Sequence, residues 1–239
     1  MACSFGVVEN KLYEAEFFLE KIQACNKNDF EVRYYFSAFV SASRSVTFAL
    51  QASMKGIDGF DTWYSIAREK LNLDPLARYF VEIRNIVVHK GENPYNEVPL
   101  EYLKLYLAAQ ILHHDQSDVL LVPNMGDNNG CELINAKQAC INYFKSIILI
   151  IFDCYDKFKY IVDPKWYFTE SNFNRNGKSL DDALDELGFP RDWISHITPE
   201  KEAWKILRSR EQSCIINPIF YKYLDVVIDD PDDSEMENY

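Results

Sequence analysis

Apolar positions in the first ninety residues recur in steps of three and four, the period of a helix with one buried face. Val8, Leu12, Ala15, Leu19 and Ile22 trace the first such face. Residues 26–29 then form a polar break, in which Asp29 is placed to cap a second helix that runs to about Lys55, ahead of Gly56. Its apolar positions include Val32, Phe36, Phe39, Val40, Val46 and Leu50, and Ser37, Ser41 and Ser45 form a small-residue stripe at spacing four that suits a close helix approach. A third helix is predicted over residues 60–71. Asp74-Pro75 then restarts the chain with a capping carboxylate and a proline at the first helical position. The fourth helix is predicted from Pro75 to His89 or Lys90, with Gly91 as its C-terminal cap. Four helices with short connections read as an up-and-down bundle.

Past Gly91 the signal is weaker. Residues 92–99 read as a linker, 101–114 as a helix, "DVLLVPN" as a short strand or extended segment, and "NMGDNNG" as a loop. The longest regular pattern follows. Ile141, Phe144, Ile148, Ile151, Tyr155, Phe158 and Val162 make a helix seam that stops before Pro164, suited to packing on the bundle or on a partner helix. Residues 165–225 read as short helices, one capped by Ser179 and stopped by Gly188, another opened by Thr198-Pro199. The expected protein is mainly α, with a bundle core in 1–91, a largely helical extension in 92–228 and a disordered acidic tail in 229–239.

Composition agrees with that class. The chain is 48% hydrophobic, enough for a sizeable core, and its 8 glycines and 9 prolines disfavour a turn-rich all-β fold. No apolar run approaches the roughly 20 residues needed to span a bilayer. The N-terminus lacks the basic start and apolar centre of a secretory signal. Six cysteines (3, 25, 131, 140, 154, 214) form no CxxC pair, which suits reduced thiols and a cytoplasmic location. The net charge of −12 is uneven: residues 1–91 carry 11 basic and 11 acidic side chains, so the whole excess lies beyond them. Phosphate affinity comes largely from Lys and Arg. Contact with RNA is therefore expected to be local rather than general.

One stretch resists a purely structural account. In "VEIRNIVVHKG", residues 81–91, polar groups interrupt an otherwise apolar helix. At about 100° per residue, Glu82, Asn85 and His89 fall on one stripe, whereas Arg84 lies about 140° round from His89 and must bend back to reach it. His89 sits in the last turn, where the helix dipole favours an imidazolium. A histidine beside an arginine and an asparagine can move protons and hold a phosphate without a metal.

The segment "RNIVVH" (Arg84, Asn85, three apolar residues, His89) resembles the R-N-x-x-x-H motif of HEPN domains. Upstream, "YYFSAFVSASRSVTFAL" in a long second helix and an aromatic-rich third helix are similar to the HEPN layout, over roughly residues 8–91. The resemblance implies a homodimer in which two motif helices line one composite cleft. It also implies a metal-independent endoribonuclease, of the kind found in toxin–antitoxin and antiviral defence systems, with no cofactor. His89 would act as general base or acid, Arg84 would stabilise the phosphorane, and Asn85 would orient the phosphate or imidazole. Glu82 is a supporting candidate that positions Arg84 or His89. Cleavage would leave a 2′,3′-cyclic phosphate and a 5′-hydroxyl.

Two other readings compete. A non-catalytic HEPN module would serve dimerisation or interaction, with an antitoxin or a nucleotidyltransferase as partner. An HD-type phosphohydrolase would draw metal ligands from His89, His114, Asp115 and Asp153, around the "HHD" at residues 113–115. A second Arg-to-His spacing, "RDWISH" at 191–196, carries Asp192 in place of the asparagine and reads as surface structure.

Overall fold

All five residues of the first periodic face, Val8, Leu12, Ala15, Leu19 and Ile22, are fully buried in the computed structural model, which describes residues 5–26, 30–95, 119–123, 131–194, 196–197, 199–210 and 214–231. They lie on α1, Gly6–Ala24. The second helix, α2, is Val32–Ser53, and each of its six predicted apolar positions is buried. The hydroxyls of Ser41 and Ser45 donate to the carbonyls of Ser37 and Ser41 one turn back, and all three residues stay half-exposed. Asp29, expected as the cap, lies outside the described residues.

The next two helices follow the sequence closely. α3 is Phe60–Leu73 and α4 is Pro75–Asn85. Asp74 caps α4 by accepting from the Leu76 N–H at 2.9 Å, with Pro75 at the first position. Its other carboxylate oxygen accepts from the Ser146 hydroxyl at 3.1 Å, which ties the start of α4 to the long helix α5, Ala136–Val162. The short strand at 119–123 exists as β1, Val119–Pro123. It pairs antiparallel with β2, Cys131–Asn135, in a register that sets Val119 against Asn135. The expected helix at 101–114 and loop at 124–130 lie outside the described residues.

The protein is mainly α-helical, and it divides into two compact units. One is Asn10–Ile150. Its centre is aromatic: Phe80 of α4 stacks on Tyr143 of α5 at 4.3 Å between centroids and 8° between planes, and Phe39 of α2 meets Phe80 edge-on at 6.2 Å. Aromatic pairs in such geometries add stabilisation beyond their buried area, so this cluster fixes α4 against its neighbours.

The other unit comprises residues 1–9 and 151–239. It holds the second half of α5 with α6 (Pro164–Tyr167), α7 (Glu170–Arg175), α8 (Leu180–Leu187), α9 (Glu200–Ser209) and α10 (Asn217–Leu224). Its core gathers Phe168, Phe173, Leu184, Ile194, Trp204 and Leu207. Ser179 and Asp182 form a capping box at α8, and Gly188 ends that helix at φ 74°. Asp163 is buried; it accepts from the Tyr155 hydroxyl and from the Lys165 backbone N–H. Among the described residues, no helix is long and apolar enough to cross a membrane.

Candidate functional site

The site is built where α4 ends. Ile83, 1% exposed, anchors the last α-helical turn in the core, and beyond Asn85 the winding changes. Residues Ile86–Lys90 form a π-helical turn rather than the α-helix expected there. A π turn closes residues i and i+5 where an α turn closes i and i+4. Arg84 and His89 stand five residues apart, so the wider turn draws together two side chains that α geometry would leave about 140° apart.

Arg84 Nη1 donates to Asn85 Oδ1 at 3.3 Å and reaches His89 Nε2 at 3.3 Å. A guanidinium has no acceptor, so in this contact Nε2 is the accepting atom. Arg84 is half-buried, while Asn85, His89 and Glu82 are exposed. The three motif residues thus form one solvent-facing cluster. Glu82 lies one turn N-terminal to the cluster, and Arg78 continues the same stripe a further turn back.

The segment after the turn is pinned. Gly91 adopts φ 70°, a left-handed conformation that other residues enter at a cost. Asn93 then clasps α2: its side-chain amide donates to the Arg33 carbonyl at 2.6 Å, and Arg33 Nη2 donates back to the Asn93 carbonyl at 3.2 Å. Tyr95, fully buried, packs on Phe36 at 5.1 Å. Both ends of the π turn are therefore fixed, one by Ile83 and one by Asn93.

The second Arg-to-His spacing does not converge in this way. Arg191 is engaged by Asp185 through Nε at 3.2 Å and by Asp181 at 4.0 Å. His196 is exposed. Among the described residues, no three His, Cys, Asp or Glu side chains gather in a group that could hold a metal ion. His114 and Asp115, on which the HD-type reading depends, lie outside the described residues.

Fold and site together define a mainly α-helical protein with an Arg-Asn-His cluster wound onto the end of its fourth helix. Residues 1–136 match the family model of bacteriophage lambda protein ea47, and the chain belongs to that family. The match takes in α1 to α4, the π turn and the hairpin. No curated protein and no solved structure matches the chain.

Proposed function

We propose that this chain is a metal-independent endoribonuclease of HEPN type, acting as a homodimer that brings two π turns together around RNA. The observation that carries the reading is the convergence of Arg84, Asn85 and His89 on one exposed surface. In the resting arrangement the guanidinium occupies His89 Nε2. An incoming phosphate draws Arg84 into a charge-assisted contact, and Nε2 is released to take the proton of a ribose 2′-hydroxyl. The oxygen attacks the adjacent phosphorus, the P–O5′ bond breaks, and the leaving oxygen receives a proton. Arg84 then faces the charge that grows on the phosphorane, and Asn85 holds the guanidinium or the phosphate in line. Products are a 2′,3′-cyclic phosphate and a 5′-hydroxyl.

An antiphage or toxin role, with an antitoxin or nucleotidyltransferase as partner, follows from the HEPN resemblance. The test compares wild type with Arg84→Ala and His89→Ala on bulk RNA in EDTA. Loss of cleavage in both variants with folding intact supports the reading. Equal cleavage by all three refutes it, and a folded wild type that cleaves nothing leaves the non-catalytic HEPN module as the better account. Sedimentation of the wild type is expected to show a dimer, and a monodisperse monomer would remove the composite cleft.

A further inference from the structure

A cleft of about 350 Å³ opens in the first compact unit, walled by α2, α3, α4 and α5. Arg44, Arg68 and Arg78 all line it, one from each of α2, α3 and α4. Three guanidiniums around one concavity repel each other, and among the described residues no carboxylate lies within ion-pair distance of any of them. The first 91 residues have no basic excess, so this concentration reflects placement rather than composition.

The other polar groups add donors. Gln51 Nε2 donates to the Tyr64 hydroxyl oxygen at 2.8 Å, which leaves the Tyr64 proton free to be given to a ligand. Burial raises the Tyr64 phenol above its usual range despite the nearby Arg44, so it remains a donor. Burial likewise pushes Tyr143, at the cleft floor, up to about 12. Glu82 supplies one acceptor at the rim. Walls of Phe48, Leu71, Val81 and Ile147 are apolar, and the half-exposed Phe48 ring carries the Arg44 guanidinium over it at 4.5 Å.

We infer that this cleft binds a nucleotide, with its phosphate held by Arg44, Arg68 and Arg78, its base against the Phe48 wall, and a hydroxyl or amino group on Glu82. Arginine is suited to this because its fork of donors matches phosphate oxygens. A volume of about 350 Å³ falls at the small end of ligand pockets, which start near ~300 Å³, and so suits one unit rather than a long ligand. The unit is either a free nucleotide or one residue of an RNA strand. Arg78 and Arg84 are six residues apart, about 9 Å along the helix at ~1.5 Å each, so a strand in the cleft would continue toward His89. In that form the inference rests on the ribonuclease reading; the nucleotide chemistry rests on the cleft alone.

Titration of the full chain at fixed ionic strength tests this, with 5′-AMP as one probe. The other is an octamer of 2′-O-methyladenosine, which lacks the attacking hydroxyl and cannot be cut. Binding of 5′-AMP alone identifies a free nucleotide as the ligand; binding of the octamer, alone or with 5′-AMP, identifies a strand. In each case Arg68→Ala combined with Arg78→Ala is expected to weaken binding at least about tenfold, Tyr64→Phe to weaken it less, and Lys55→Ala, outside the cleft, to leave it unchanged. Arg68 and Arg78 are exposed, so the double variant should fold. Failure of both probes to bind wild type, or double-variant affinity equal to wild type, overturns the inference. Neither probe can be cut, so a wild type that binds a probe but leaves bulk RNA intact fails the catalytic reading alone, and one that cuts RNA but binds neither probe fails the cleft alone.

Discussion

Arg84 Nη1 lies 3.3 Å from His89 Nε2, across five residues of a turn whose winding is wide enough to bring them together. π turns are rare, occur mostly as single turns inside α-helices, and are frequent at functional sites. This one starts at the residue after Asn85 and spans the interval between Arg84 and His89, and none of its five residues is buried.

Arg84→Lys tests whether the geometry or only the charge matters. An ammonium is a compact point charge and cannot engage Asn85 and His89 as a planar fork does. Initial cleavage rates in EDTA are expected to fall by ~10²-fold, the scale of losing one preorganised donor, with the circular dichroism spectrum unchanged. Full activity in the lysine variant would mean that the fork is not needed.

Gly91 ends the π turn at φ 70° in open space, so replacing it tests backbone strain and not crowding. Gly91→Val is expected to cost at least about 1 kcal/mol, because a left-handed conformation is unfavourable for a residue with a Cβ. Gly91→Asn should cost less, since asparagine tolerates that region. Urea unfolding of the two variants gives the comparison, and equal losses would count against the strain account.

Asp74 serves two elements at once, through Leu76 N–H and the Ser146 hydroxyl. Asp74→Ala should lower unfolding free energy by about 1–2 kcal/mol, the upper range for an N-cap. Ser146→Ala should cost less, because α4 keeps its cap. A serine variant as damaging as the aspartate variant would show that the tie to α5 dominates.

A pH effect is expected from Glu9, which is 6% exposed and accepts from the Ile216 N–H at 3.2 Å. Burial raises its carboxyl above the ordinary 4.5, outweighing the backbone N–H groups of Ile216 and Ile215 that pull it down. Asp163 is raised from 3.8 in the same way. The folded state therefore binds protons more tightly than the unfolded chain. This contribution to stability is full below the unfolded value and is lost as pH climbs through the raised folded one. Glu9→Gln should raise the urea midpoint at pH 7 and flatten the profile above 4.5. A lowered midpoint with an unchanged slope would contradict this.

How far the sequence reaches can be judged residue by residue. Val8 to Ile22 and Val32 to Leu50 were legible because burial imposes a period that the order of apolar residues carries. Asp74-Pro75 was legible because the capping carboxylate and the missing N–H act locally. The pairing of β1 with β2 was not, since strand partners are set by contacts distant in sequence. Nor was the π turn: Ile86, Val87 and Val88 satisfy an α pattern equally well, and nothing in their spacing marks the wider winding. Of the site, Glu82, Asn85 and His89 were visible as a stripe. Arg78 lay one turn further along it and could have been added. Arg44 and Arg68 could not, because a cleft between four helices leaves no mark on any one of them.

The π turn also bears on how relatives of this chain should be aligned. Such a turn holds one residue more than an α-helix needs to cover the same path. A homologue lacking one residue between arginine and histidine could place both side chains on the same side of an unbroken α-helix. The gap would then look like a damaged motif while the cluster survives. Comparisons within this family should therefore treat the interval between Arg84 and His89 as a variable of winding, and score the pair by the face it occupies.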